Sequence, residues 1–342
     1  MHRSLVALVA VVAVGCAKPA AEEPDGPRGS PKEAVKETRE LIDEAYRVLR
    51  DGDPVSLMGL LAPDLFFVGP GPDEVGLDRS AAIELAGTVI DSRKKHKLRS
   101  LGLEIEGGPD GVTAWAIDQI EYDGHAFAVT VIAAQVDGLW FITAIELAHA
   151  IPTRKLEKLR PAPLPELPRW QPPEAKVSAH GAAPRSVLEA VKLAAGDVGA
   201  RLDQYGKQRD AAFVGPAPDQ VEIGAKAIAK AWKKRAPSWQ LDDTLVGSTP
   251  DGGLAWVVAH GAVLEEPKRA DRDDRDDRRK RRDRDRDDDR DDRDDRDDRD
   301  EPESAEPTVG PPRRLFVIYR NDGAGPDGWA LSLWHESVAL PR

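Results

Sequence analysis

One phrase occurs twice in this chain. Asp64-Leu65-Phe66-Phe67-Val68-Gly69-Pro70-Gly71-Pro72-Asp73 returns as Asp210-Ala211-Ala212-Phe213-Val214-Gly215-Pro216-Ala217-Pro218-Asp219. The echo runs in both directions. Gly52-Asp53 is matched by Gly196-Asp197, and Pro109-Asp110-Gly111 with Ala114-Trp115 by Pro250-Asp251-Gly252 with Ala255-Trp256. Asp137-Gly138 with Trp140 is matched by Asp327-Gly328 with Trp329, and Ala150-Ile151-Pro152 by Ala339-Leu340-Pro341. Anchors repeated in one order mean two copies of one module. In 342 residues each copy has about the size of a single-core domain.

The first copy reads clearly. Ser30-Pro31-Lys32-Glu33 is a helix start with a cap, an N1 proline and a capping-box glutamate. Val35, Leu41, Ile42, Ala45, Tyr46 and Leu49 give that helix one apolar face, and Gly52 ends it. Asp53-Pro54 opens a short second helix, Asp64 to Val68 is a strand, and Gly69-Pro70-Gly71-Pro72 must turn. Asp78 caps a third helix. Asp110-Gly111, Asp123-Gly124 and Asp137-Gly138 are hairpin turns at near-regular spacing. They join four strands, at about 97–107, 112–122, 125–136 and 139–150, longer than the usual strand. Such a sheet must twist or bulge. The fold class expected is α+β: two tandem cone-shaped domains, each of three helices packed on a curved antiparallel sheet.

Outside the copies, Leu5 to Val14 is an apolar run after a basic start, too short to span a bilayer as a helix. It ends at Ala13-Val14-Gly15-Cys16, which resembles a bacterial lipoprotein signal; an ordinary cleaved secretory signal is the other reading. The resemblance implies cleavage before Cys16, lipidation of its thiol and anchoring in the outer membrane, facing the periplasm or cell surface. Cys16 is the only cysteine, so no intrachain disulfide forms. The expected boundaries are a signal at 1–16, a tether at 17–30, domain 1 at 31–152, a Pro-rich linker at 153–183 and domain 2 at 184–342. Domain 2 carries an Arg/Asp-rich insert at 266–312 in place of its middle turn, read as a disordered polyampholyte. The net charge of −12 offers no basic surface and argues against nucleic acid as a partner.

The two copies resemble SnoaL-like domains of the nuclear transport factor 2 and ketosteroid isomerase superfamily. The resemblance rests on the paired Gly-Asp steps, the Phe-Val-Gly-Pro-x-Pro phrases, Ala-Trp on a middle strand, Asp-Gly before a tryptophan, and Trp334-His335-Glu336-Ser337. It implies a cone with a pocket between sheet and helices, in a superfamily that mixes isomerases, cyclases, hydrolases and non-catalytic modules. Such a fold says little about function. Members also dimerise through the sheet, so the tethered copies are expected to pair as an intramolecular pseudo-dimer.

No polar group suited to catalysis is shared by the copies. Asp118 corresponds to Ala259, Gln119 to His260, Glu146 to His335 and Ala148 to Ser337. By plain strand alternation His335 shares a face with Trp329, Leu331, Leu333 and Ser337. If that face lines the cone, His335 and Ser337 are polar groups in an apolar pocket; otherwise His335 is a buried or rim histidine. Asp118 alternates against Trp115, and either residue can be the inward one. Trp115, Trp140, Trp256 and Trp329, with His335, are either an aromatic pocket or plain core. The leading expectation is a lipid-anchored, non-catalytic module that binds a small ligand, an apolar one among the candidates, or serves in interaction, with no metal and no cofactor. The alternatives are an isomerase- or hydrolase-type enzyme working through His335, with Ser337 and Asp118 as further candidates, and a protein-interaction scaffold using the insert.

Overall fold

The computed structural model describes residues 29–89, 94–156, 158–159, 163–168, 185–235, 237–249, 251–265, 308–322 and 328–340. The signal, Cys16, most of the tether and residues 266–307 of the insert lie outside them.

The first copy opens with α1 (Pro31–Asp51) and α2 (Pro54–Leu57). Ser30 accepts the Glu33 amide at 3.2 Å, and Gly52 closes α1 at φ +70°. Asp53 accepts the Ser56 amide at 3.1 Å to start α2. Strands β1 (Leu61–Val68) and β2 (Val75–Gly76) flank the glycine-proline turn, and α3 (Arg79–Val89) follows. The meander is β3 (Leu98–Ser100), β4 (Glu104–Gly107), β5 (Thr113–Tyr122), β6 (His125–Val136) and β7 (Leu139–His149). Asp123-Gly124 and Asp137-Gly138 each place two successive residues at positive φ, the backbone that matches strand twist in a two-residue hairpin. The long first strand is broken. Residues 101–103 face only Asp118 and Gln119 on β5, a one-residue bulge.

The second copy repeats this plan. After the one-turn α4 (Thr153–Leu156), formed inside the segment expected to be irregular, come α5 (Arg185–Gly196), α6 (Val198–Tyr205), β8 (Ala212–Val214), β9 (Val221–Ile223) and α7 (Ala225–Arg235). Then come β10 (Ser238–Ser248), β11 (Leu254–Glu265), β12 (Thr308–Asn321) and β13 (Trp329–Ser337). Sheet order is β2-β1-β7-β6-β5-β3 in the first copy, with β4 also paired to β5, and β9-β8-β13-β12-β11-β10 in the second; the topology is the same, with β10 standing for β3 and β4 together. Each sheet holds one parallel pair, β1 with β7 and β8 with β13, where a wholly antiparallel sheet was expected. The first strand of each copy lies beside its last, and the helix and meander between them bring the chain round to run the same way. The ladder between β11 and β12 reaches Glu265 opposite Thr308. Residues 308–312 are therefore strand, and the insert is confined to 266–307.

Three apolar clusters hold the chain. One lies between the first sheet and its helices, with Leu41, Ile42, Ala45, Ala114 and Ala116. Its counterpart holds Val187, Val191, Ile228, Val257 and Leu331. The third joins the outer faces of both sheets: Phe66, Trp115, Ile117 and Ile132 against Trp256, Val258, Phe316 and Leu333. The layers run helix, sheet, sheet, helix. Each buried side chain of this size contributes about 1.5–3 kcal/mol relative to exposure.

The duplicated phrase lies where the sheets meet. In the two turns Gly69 donates to the Glu74 carbonyl at 2.6 Å and Gly215 to the Gln220 carbonyl at 2.7 Å. A Cβ on either glycine would lie 2.7 Å from the Cβ of Glu74 or Gln220, which explains the glycine in both. Each turn accepts a backbone amide from the end of the other copy. Ile151 donates to the Pro216 carbonyl at 2.9 Å and Leu340 to the Pro70 carbonyl at 3.4 Å. Ile151 and Leu340 are equivalent in the repeat, as are Pro70 and Pro216, so the contacts form a two-fold-related pair.

Candidate functional site

The last strand of each copy carries a bulge at the same place. Ile132 pairs with Ala144 and Ala133 with Ile142, leaving Thr143 extra. Ile318 pairs with Leu333 and Tyr319 with Leu331, leaving Ser332 extra. One extra residue reverses the face of every side chain beyond it. Trp329 and Leu331 face the helices, but Leu333 lies between the sheets, and Trp334 takes the helix side. The expectation that His335 and Ser337 share a face with Trp329 and Leu331 is therefore corrected. Both point at the opposite sheet, not into the cone.

There they meet Glu146 of β7 and Thr130 of β6. His335 Nδ1 lies 2.8 Å from Glu146 Oε2 and 2.9 Å from Thr130 Oγ1. Ser337 donates to Glu146 Oε1 at 2.8 Å. His335 is 0% and Glu146 1% exposed, and His335 Nε2 has no hydrogen-bond partner among the described residues. The order of groups is serine, carboxylate, imidazole. In a serine hydrolase the imidazole stands between the hydroxyl and the acid and takes the hydroxyl proton. Here the carboxylate occupies the middle and receives the Ser337 proton directly. The cluster is a buried polar junction in which Ser337 bonds Glu146 Oε1 and Thr130 bonds His335 Nδ1, while Glu146 Oε2, close to the ring, makes no hydrogen bond among the described residues.

Asp118 points the other way from Trp115, toward α1. Tyr46 donates to its Oδ2 at 2.9 Å and the Gly102 amide to its Oδ1 at 3.1 Å. Burial, and then the Asp118 carboxylate, push the Tyr46 hydroxyl far above its usual range. Asp118 thus lies inside the first cone, fastening a helix to the bulged edge of the sheet. The four tryptophans are not brought together. Trp115 and Trp256 pack between the sheets, Trp140 against the helix-side core of the first copy, and Trp329 in that of the second.

The interior of the second cone is occupied. Arg201 of α6, fully buried, lies 4.1 Å from the Trp334 ring and 4.9 Å from the Trp232 ring. It donates to the carbonyls of Ala194 at 2.7 Å, Ala195 at 3.2 Å and Pro237 at 3.0 Å. Those bonds tie the end of α5 to the start of β10. Tyr205, Trp239 and Trp334 complete the filling. At the rim, a cleft of about 360 Å³ lies between α5 and β10, lined by Lys192, Ala195, Trp239, Leu241, Asp242 and Thr244 among others. The Trp239 indole N–H is buried with no hydrogen-bond partner among the described residues.

Two buried cations and this cleft escaped the sequence reading. Arg314 follows Arg313 directly after the insert and reads as its charged tail, yet it is 2% exposed. Its guanidinium donates to the carbonyls of Gly69 at 2.7 Å, Gly71 at 3.2 Å and Pro72 at 3.2 Å, capturing the turn of the other copy. Its Nε donates to His260 Nε2 at 3.3 Å, while His260 Nδ1 faces the Pro165 carbonyl at 2.9 Å. Burial and the guanidinium hold His260 down to about 4, so the ring is neutral with its proton on Nδ1. The clue in the sequence was an arginine opening an otherwise apolar strand, Leu315-Phe316-Val317-Ile318. Among the described residues no group of His, Cys, Asp or Glu is arranged to hold a metal, and no helix is long and apolar enough to cross a membrane.

No curated protein matches the chain. Solved structures similar to it include an NTF2-like protein of unknown function from Pseudomonas putida, 16% identical, covering 37% of this chain and 94% of that one, with a TM-score of 0.32. Another is a protein with a cystatin-like fold from Caulobacter vibrioides, 14% identical over 37% of this chain and 95% of that one, TM-score 0.33. A third is a nuclear transport factor 2-like superfamily protein from Salmonella enterica, 16% identical over 36% and 94%, TM-score 0.31. The family model of the SnoaL-like domain matches residues 38–151. Residues 38–151 of the first copy match the SnoaL-like domain, and the second copy repeats that topology with β10 in place of β3 and β4.

Proposed function

We propose that this protein is a lipid-anchored, non-catalytic binding module that takes a small ligand at the rim of its second cone. One observation carries the ligand reading: the cleft of about 360 Å³ beside α5, walled by Trp239, whose buried N–H lacks a partner. A buried donor without an acceptor costs about 1–3 kcal/mol. A ligand with an apolar body against Trp239 and Leu241 and an acceptor atom for the indole would remove that cost. The non-catalytic reading rests on the fate of the candidates. His335 and Ser337 are enclosed between two sheets, and Asp118 is engaged by Tyr46 and Gly102.

The test uses the full mature chain. Solvent extracts are analysed by mass spectrometry for co-purified small molecules, and 1-anilinonaphthalene-8-sulfonate is titrated as a probe of the cleft. Trp239→Phe keeps the apolar wall and removes the donor. It should weaken a ligand bearing an acceptor about 10-fold and leave the melting temperature near that of the parent. Equal binding by the two proteins, or no binding by either, rules the reading out. The anchor is tested separately. Cys16→Ser should move the protein from the detergent phase to the aqueous phase, and equal partitioning of both forms would exclude lipidation.

A further inference from the structure

The repeat and the interface together single out one position. Glu146 pairs with Val68 on β1, and His335 pairs with Val214 on β8. Val68 and Val214 are the same residue of the duplicated phrase, so Glu146 and His335 occupy the same place in the two copies. Residues that are equivalent can touch each other across a two-fold only on its axis. Glu146 and His335 touch, at 2.8 Å. Asp110 and Asp251, equivalent in the two Pro-Asp-Gly turns, also lie side by side: a Cβ on Gly253 would lie 1.5 Å from Asp110 Oδ2 and 3.1 Å from Asp251 Oδ2. Two such self-contacts mark the line of a pseudo-two-fold between the sheets.

A side chain on that axis always faces its own counterpart. In a pair of identical copies it would meet itself. Two glutamates there would bury two acceptors, and two charges, against each other. Two histidines would set ring against ring with no acid between. The chain has instead diverged at this place into a carboxylate and an imidazole, 2.8 Å apart. We infer that Glu146 and His335 are the specificity determinants of pairing. They make each sheet face complementary to the other copy and unfavourable to its own kind, so that the first half accepts only a second half.

Ser337 and Thr130 strengthen the choice from the sides. Ser337 donates to Glu146 Oε1, and Thr130 lies against His335 Nδ1. Their counterparts in the repeat are Ala148, and Phe316, which pairs with His335 as Thr130 pairs with Glu146. The junction is therefore asymmetric in its support as well as at its centre.

The experiment is an exchange across the axis in the full chain. Glu146→His sets histidine against histidine, and His335→Glu sets carboxylate against carboxylate, so each single variant recreates a pairing of like with like. Breaking a buried pair in this way should lower the melting temperature by about 10 °C. The double exchange, Glu146→His with His335→Glu, turns the pair around the axis and restores imidazole against carboxylate. It should melt above both single variants and recover at least half of the loss, short of the parent because the flanking Ser337 and Thr130 do not turn with it. A single variant that fails to accumulate does not block the test, since the exchange contains both substitutions and must still fold. Single variants that melt with the parent, or an exchange no better than the worse single variant, overturn the inference.

Discussion

Arg314 is the side chain on which the contact between the copies should depend most. It crosses from β12 to the Gly69–Pro72 turn and binds three carbonyls there. Hydrogen bonds to a charged donor contribute about 1.5–3 kcal/mol each, and an acceptor left buried without a donor costs about 1–3 kcal/mol. Against this stands the cost of burying the guanidinium, several kcal/mol, which vanishes with the side chain. The balance predicted for Arg314→Ala is a loss of about 3–5 kcal/mol. Arg314→Met separates the causes, because it refills most of the volume and restores none of the donors. Arg314→Lys offers a single ammonium to three acceptors arranged for a fork and should recover only part of the loss. Urea unfolding followed by tryptophan fluorescence reads the effect. With a slope of about 2 kcal/mol per molar, the alanine midpoint should fall by about 1.5–2.5 M. If Arg314→Met unfolds at the parent midpoint, the desolvation cost cancels the three bonds, and the view of Arg314 as a clamp is wrong.

Three further outcomes follow from the same geometry. His260 is held down to about 4 by burial and by Arg314, against about 6.5 when unfolded. Its contribution is complete above pH 6.5 and is lost as pH falls toward 4, about 3 kcal/mol in all. His260→Gln, the residue found at the equivalent Gln119, should flatten that part of a pH–stability curve, and an unchanged curve would refute the assignment. Asp251 is displaced in the opposite sense, up to about 6, by partial burial and by Asp110 beside it. Stability from this pair is greatest below pH 4 and declines as pH rises through 6. Asp251→Asn should therefore melt higher than the parent at pH 7.5, by about 1 kcal/mol or less at so exposed a turn, with no difference at pH 4. At Gly107 a Cβ would lie 2.2 Å from the Pro31 carbonyl oxygen. Gly107→Ala must push β4 from the start of α1 and should cost about 1–3 kcal/mol in denaturation; a neutral result would mean that the helix start moves freely.

Much of the fold could be read directly because its determinants are local. A serine before Pro31, an aspartate before Pro54, and Asp-Gly pairs at the hairpins act on amides two or three residues away. The duplication was legible for the same reason, since turns and caps tolerate few residue types. The site was not legible, and Thr143 and Ser332 show why. A bulge is one residue of excess, carried by ordinary side chains, and the strand on either side still alternates. Alternation counted through Ser332 puts His335 in the cone, and the true register puts it on the other sheet. The expectation that the long strands must bulge was sound, but the period-two pattern cannot say where. Arg314 was hidden differently, by a charged stretch of sequence before it whose character it shares, yet it is buried.

Equivalent positions of the two copies are of two kinds. In sequence, Glu146 against His335 is a divergence that leaves no shared chemistry. On the axis, equivalence in sequence becomes contact in space, so at Glu146 and His335 the difference between the copies sets a carboxylate against an imidazole. The duplicated phrase obeys the opposite rule. Its turns lie off the axis, each gripping the far end of the other copy through Ile151 and Leu340, and both must keep the same Gly-Pro-x-Pro shape to do so. On the axis itself, Asp110 still meets Asp251 at an exposed turn, while at the buried position the copies have diverged into Glu146 and His335, as a homodimer's would once its two subunits were joined in one chain and a costly buried self-contact was free to change.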